Sequence, residues 1–167
     1  MFAFFTAMPS SGQAQAPNES VFALGKPFVD NAIFQQHMEV PVWGTAKPGT
    51  KVRVTLAGHT GAAVASSNGT WRVKLPAMKA DALTSVNTAP KGRPMTVVAT
   101  LGKSTQKLEI KNTLVGEVWL CSGQSNMAGP LKMGPWPPGT FQNANYPALR
   151  QWRDEKWIIC TPETSRV

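Results

Sequence analysis

From Phe22 onward, apolar positions recur at short spacing and are broken by turn residues every few positions. Lys51 to Ala57 alternates strictly, with Val52, Val54 and Leu56 on one face and Lys51, Arg53 and Thr55 on the other. That is the period of a half-buried strand. Val40-Pro41-Val42-Trp43-Gly44 predicts another strand, closed by the Lys47-Pro48-Gly49 turn. Ala62 to Ser66 and Thr70 to Leu75 flank Ser67-Asn68-Gly69, which predicts a β-hairpin with Trp71, Val73 and Leu75 facing inward. Met95 to Leu101 and Lys107 to Lys111 bring the total to about six or seven strands, enough for two packed sheets. Asp81 to Lys91 reads as a connection between strands. Val118 to Cys121 has a different pattern: a continuous apolar run, expected of a strand buried on both faces as in a parallel sheet. After Met127 the chain is rich in Gly, Pro and Asn, and Trp157-Ile158-Ile159 predicts a further buried strand.

The apolar run at Val118 to Cys121 stops at Gly123, which permits a tight turn off the strand end and places Ser125 on that turn. A helix starting there would present backbone N–H groups without internal partners beside Ser125. Attacking hydroxyl and oxyanion donors would then share one turn. The stretch departs from the G-x-S-x-G elbow, because Met127 stands where the second glycine belongs. By itself, a serine after a glycine at a strand end is ordinary turn chemistry.

The whole stretch Val118-Trp119-Leu120-Cys121-Ser122-Gly123-Gln124-Ser125-Asn126-Met127 closely resembles the first motif block of the SGNH hydrolases, most specifically the sialate O-acetylesterases and related carbohydrate acetylesterases. Three earlier segments, Phe28 to Gln36, Val42 to Val54 and Asn68 to Pro76, resemble the β-sandwich that precedes this block in bacterial members. The resemblance runs from Phe22 to Met133. It implies a β-sandwich over 17–112, followed at 113–167 by the start of an α/β, flavodoxin-like hydrolase domain. Ser125 is the implied nucleophile toward an O-acetylated sugar, with Gly123, Gln124 and Asn126 supporting the site. In such a fold Leu149-Arg150-Gln151-Trp152 supplies the second strand of the catalytic sheet, and Trp136 and Tyr146 either border the substrate pocket or pack within loops.

A serine hydroxyl needs a base, normally a His oriented by an Asp. The family draws both from a late Asp-x-x-His block, and this sequence has none: His37 and His59 both precede Ser125. The family's second-block glycine and third-block Gly-x-Asn-Asp are absent after Met133 as well. The chain therefore reads as an N-terminal fragment reaching about two strands into its catalytic domain, with little or no activity alone. Two alternatives stay open: an esterase for acetylated xylan, and a non-catalytic β-sandwich module for carbohydrate binding or packing.

Composition refines this picture. A chain of 167 residues holds one ordinary domain, or a small one plus part of another, and 42% hydrophobic content suffices for a core. Fourteen glycines and fourteen prolines favour turns and short strands over helices. The formal charge of +8 comes from Lys and Arg spread singly along the sequence, so it indicates a solubilised surface rather than a nucleic-acid site. Two cysteines make no framework: Cys121 is expected as a small buried hydrophobe, and a disulfide to Cys160 stays open. His37 and His59 lack neighbouring ligands at metal spacing and are expected on loops or the surface; no metal or cofactor is implied. Trp43 and Trp71 are expected to pack in the core rather than to form a sugar platform. Phe2 to Met8, with Ala14-Gln15-Ala16 after it, outlines either a remnant of a secretory signal peptide over 1–16, without a positive n-region and with Pro17 after the candidate cleavage site, or a frayed apolar N-terminus. The former points to a periplasmic or extracellular location. No transmembrane helix is predicted.

Overall fold

The computed structural model describes residues 22–124, 137–140 and 142–164. Ten strands follow in order: β1 (Ala23–Leu24), β2 (Ile33–Gln35), β3 (Val40–Thr45), β4 (Lys51–Leu56), β5 (His59–Val64), β6 (Thr70–Leu75), β7 (Arg93–Leu101), β8 (Ser104–Gly116), β9 (Tyr146–Arg153) and β10 (Lys156–Cys160). They build a three-stranded sheet in the order β1-β3-β6, a five-stranded sheet in the order β2-β8-β7-β4-β5, and the β9–β10 hairpin. Pairing is antiparallel except where β2 runs parallel to the end of β8. Among the described residues no helix is long and apolar enough to cross a membrane.

The alternating strands face one core. Val52, Val54 and Leu56 of β4 and Met95, Val97 and Ala99 of β7 meet Val40 and Val42 of β3 and Trp71, Val73 and Leu75 of β6 in a single buried cluster. Each of these side chains is at most 4% exposed, and removing them from water is the main favourable term holding the two sheets together. The intervening residues Lys51, Arg53, Arg72 and Lys74 point to solvent, as period-two alternation requires.

The Ser67-Asn68-Gly69 turn forms, but it does not close a hairpin. Gly69 has φ 79°, and the Asn68 side-chain oxygen accepts hydrogen bonds from the Thr70 N–H (3.0 Å) and the Ser66 hydroxyl (2.6 Å). The flanking strands nevertheless lie in different sheets: β5 pairs with β4, and β6 pairs with β3. Turn chemistry is local, whereas partner choice follows burial. The strand β6 carries three core residues, while β5 has none that is fully buried, so β6 crosses to the opposite sheet. The hairpin actually formed is β4–β5, turned by Ala57 and Gly58 at φ 52° and 81°, the two positive values of a type I′ turn.

Two further expectations are corrected. Val118 to Cys121 is not a buried strand: it has no regular structure, and Trp119 and Leu120 are 82% and 95% exposed. A strand buried on both faces needs neighbours along both edges, and no described strand pairs with this segment. Cys121 is accordingly exposed, and both cysteines are free. Leu149 to Trp152 lies within β9, which pairs antiparallel with β10 through the Asp154–Glu155 turn rather than entering a parallel sheet. Trp157, Ile158 and Ile159 form β10 but are only half-buried. Trp157 packs against the edge of the main core and donates its indole N–H to the Pro27 carbonyl at 2.9 Å.

Candidate functional site

The candidate segment is launched by β8, whose end is held from both sides. On one side β2 lies parallel, with Ile33, Phe34 and Gln35 opposite Leu114, Val115 and Gly116. Beyond that register the Gln36 N–H donates to the Gly116 carbonyl at 2.9 Å. The Gln35 side chain then takes over the role of a strand: its Oε1 accepts the Val118 N–H at 2.7 Å, and its Nε2 donates to Glu117 Oε2 at 3.2 Å. Gln36 donates to the other Glu117 oxygen and accepts the Ala80 N–H at 3.2 Å. On the other side Asp81 exchanges two hydrogen bonds with Val115, through its backbone N–H (2.9 Å) and its carboxylate (2.8 Å), and pairs with Arg93.

Side-chain amides donating to Glu117, first from Gln36 and then from Gln35, hold its carboxyl below the usual carboxylate range, with a smaller contribution from the charge of His37. The chain leaving β8 is thereby fixed at Glu117 and Val118, six residues before Gln124 in sequence counting from Val118. Gly123 and Gln124 follow as exposed residues without regular structure. Ser125 and Asn126 lie outside the described residues, as does Trp136. Tyr146 begins β9 and is 44% exposed. A recess of about 340 Å³ beside Asp81, Ala82, Lys91, Gly92 and Arg93 is lined by none of the motif residues.

A second anchorage joins the β9–β10 hairpin to the same region. Asn112 sits where β8 shifts register against β7, in the left-handed conformation at φ 53°, and Asn31, before β2, is also left-handed at φ 68°. Their side chains hydrogen-bond to each other at 2.7 Å. The buried Arg150 guanidinium of β9 donates to the carbonyls of Asn31 (2.8 Å), Ala32 (3.3 Å) and Asn112. Burial pushes its pKa down to about 10, so it remains cationic at neutral pH, held by carbonyl oxygens.

Of the tryptophans, Trp71 is buried as expected, while Trp43 is 37% exposed, with Phe28 edge-on to its ring at 4.6 Å and the Arg72 guanidinium 5.8 Å from its centroid. His37 and His59 are both exposed, His59 within β5. Among the described residues no group of three or more His, Cys, Asp or Glu is placed to hold a metal ion. Sequence reasoning did not single out Gln35, Gln36, Glu117, Asp81 or Arg150. The signal available was two consecutive amides closing the apolar run at Ile33-Phe34, and a carboxylate opening the motif stretch.

No protein-family model matches the chain. Over 94 residues it is 37% identical to the sialate O-acetylesterase of Mus musculus, an alignment covering 52% of this chain and 15% of the mouse protein. This chain is similar to the sialate O-acetylesterases over that stretch. The sialate O-acetylesterase of Homo sapiens gives the same 37% over 94 residues, covering 16% of the human protein. Among solved structures, a carbohydrate acetylesterase from Xanthomonas citri superposes with a TM-score of 0.70 and 28% sequence identity, covering 87% of this chain and 34% of that enzyme. The chain thus spans about 15% of the length of the curated sialate O-acetylesterases it matches, and about a third of the solved carbohydrate acetylesterase.

Proposed function

We propose that this chain is the N-terminal part of a serine carbohydrate acetylesterase, with a β-sandwich over 17–112 and the first portion of the hydrolase unit over 113–167. The observation that carries this reading is the likeness to the Xanthomonas citri carbohydrate acetylesterase over 87% of the chain. In the reaction, the Ser125 hydroxyl attacks the acetyl carbonyl of an O-acetylated sugar and gives its proton to a histidine base. Backbone N–H groups of the turn, with Gly123, Gln124 and Asn126 shaping it, receive the oxyanion. The sugar hydroxyl departs with a proton, and water then releases acetate from Ser125. The role of the two glutamines is mechanical: they hold the exit of β8, so the turn starts from a fixed point.

Sialic acid is the substrate favoured by the named mammalian relatives, whereas the bacterial enzyme's broader description, carbohydrate acetylesterase, favours a wider set of acetylated sugars, xylan included. Neither His37 nor His59 follows Ser125 in a family-like Asp-x-x-His block, so the chain alone is expected to lack the base and to be inactive. The test is hydrolysis of 4-nitrophenyl acetate by the purified chain, with Ser125→Ala in parallel. Equal background rates support the reading of an incomplete site. Turnover that disappears in the mutant overturns the inactivity and requires a base within this chain. A non-catalytic module is favoured if the chain, joined to the missing part of a related acetylesterase, also shows no Ser125-dependent turnover.

A further inference from the structure

The Lys and Arg residues that lie scattered in the sequence are gathered by strand register on the outer face of the five-stranded sheet. Inward burial of Val52, Val54, Val97 and Ala99 turns Lys51, Arg53, Val98 and Thr100 outward. In β4 and β7, Arg53 stands opposite Val98 and Lys51 opposite Thr100; in β8, Lys107 stands opposite Val98 and Thr105 opposite Thr100. Arg53 and Lys107 therefore lie in one cross-strand row, two strand spacings or roughly 10 Å apart, with Lys51 about 7 Å along the sheet from Arg53. The adjoining row, Thr55–Thr96–Glu109, holds a carboxylate, and Glu109 lies 3.5 Å from the Lys107 ammonium.

Hydroxyls fill the spaces between the charges. Thr55 and Thr60 face each other across β4–β5 with oxygens 3.1 Å apart, and Thr100 and Thr105 do so across β7–β8 at 3.3 Å. We infer that this face binds a carboxylated polysaccharide, laid across Lys51, Arg53 and Lys107. Charge complementarity selects a polyanion, and the threonine hydroxyls, which both donate and accept, suit a chain dense in hydroxyl groups. The cross-strand rows of this face carry no aromatic side chain, so they lack the stacking platforms that hold single-stranded nucleic acid. The inference does not depend on the esterase reading.

The test uses the full chain in native affinity electrophoresis through gels containing polygalacturonate, an acidic polymer that offers Ser125 no acetyl ester. Two double variants of equal charge are compared: Arg53→Ser with Lys107→Ser on this face, and Lys26→Ser with Lys74→Ser elsewhere. All four positions are exposed, and circular dichroism checks that both variants fold. With each exposed charge contact worth roughly a factor of two to five, the face variant is expected to bind about tenfold more weakly and the control to stay within about twofold of wild type. Neutral xylan is expected to cause no retardation. No retardation by polygalacturonate, equal weakening in both variants, or equally strong face-dependent binding of a single-stranded oligonucleotide would each overturn the inference.

Discussion

Arg150→Ala is expected to release the β9–β10 hairpin while leaving the two-sheet body folded. The guanidinium bridges the Asn31 and Asn112 carbonyls, and also reaches the Ala32 carbonyl, which already accepts the Leu114 N–H at 2.9 Å. Truncation leaves the first two without their charged donor. At about 1–3 kcal/mol for each part-buried carbonyl left without its donor, and with the lowered arginine pKa showing that burial of the charge already offsets part of the gain, the net loss is about 2–4 kcal/mol. That energy bears on the hairpin, whose other described ties include the packing of Trp157 on the core edge, the Trp157–Pro27 hydrogen bond and the exposed Lys26–Glu155 pair. Amide hydrogen exchange is the suitable assay, because it separates local from global opening. Protection of the amides paired between β9 and β10 should fall roughly 30-fold to 1,000-fold, with protection in β4 and β7 unchanged. Arg150→Lys should recover only part of the loss, since an ammonium cannot reproduce the planar fork across separate carbonyls. Unchanged protection in Arg150→Ala, or an equal fall across β4, β7 and β9, would refute the reasoning.

Ala57→Gly should stabilise the chain by about 0.5–1 kcal/mol in thermal unfolding, because relief of a left-handed alanine at φ 52° exceeds the added unfolded-state entropy of glycine. Gly44→Ala should destabilise by about 2–3 kcal/mol in urea and red-shift tryptophan emission, since the new Cβ would stand 2.0 Å from the Ala23 carbonyl oxygen and 2.7 Å from Trp71. The Glu117 carboxyl is held below its ordinary range, so its stabilising effect is complete above its unfolded pKa of about 4.3 and is lost as pH falls through the lower folded value. An acid titration followed by tryptophan fluorescence should show that component in wild type and not in Glu117→Gln.

Periodicity was legible in the strands that alternate cleanly, whereas Trp43 of β3, expected in the core, alternates outward. The alternation at Lys51 to Leu56 placed Val52, Val54 and Leu56 inside correctly, and Trp71, Val73 and Leu75 followed the same rule. Partner choice was not legible. The Asn68-Gly69 turn is as strong as its residues suggest, yet the strands on either side belong to opposite sheets, because a turn specifies its own dihedrals and not which edge its flanks will find. Val118 to Cys121 failed for a related reason. A continuous apolar run predicts burial on both faces only if the partners that bury it are present, and no described strand lies beside it.

The same distinction explains why the supports of the candidate site escaped the sequence. Gln35 and Glu117 are 82 positions apart, and each alone is an unremarkable polar residue. Their meeting depends on β2 lying parallel to β8, a pairing between a three-residue strand and the tail of a thirteen-residue one. Arg150 is less visible still, since its partners are mostly backbone carbonyls, two of them at left-handed asparagines, and a carbonyl has no sequence signature. The basic face arises from the same cause: Arg53 and Lys107 become neighbours in one row only through the registers of β4 with β7 and β7 with β8. Chemistry that depends on residue type within one stretch, such as Gly123-Gln124-Ser125, can be read from the chain. Chemistry that depends on register between stretches requires the fold.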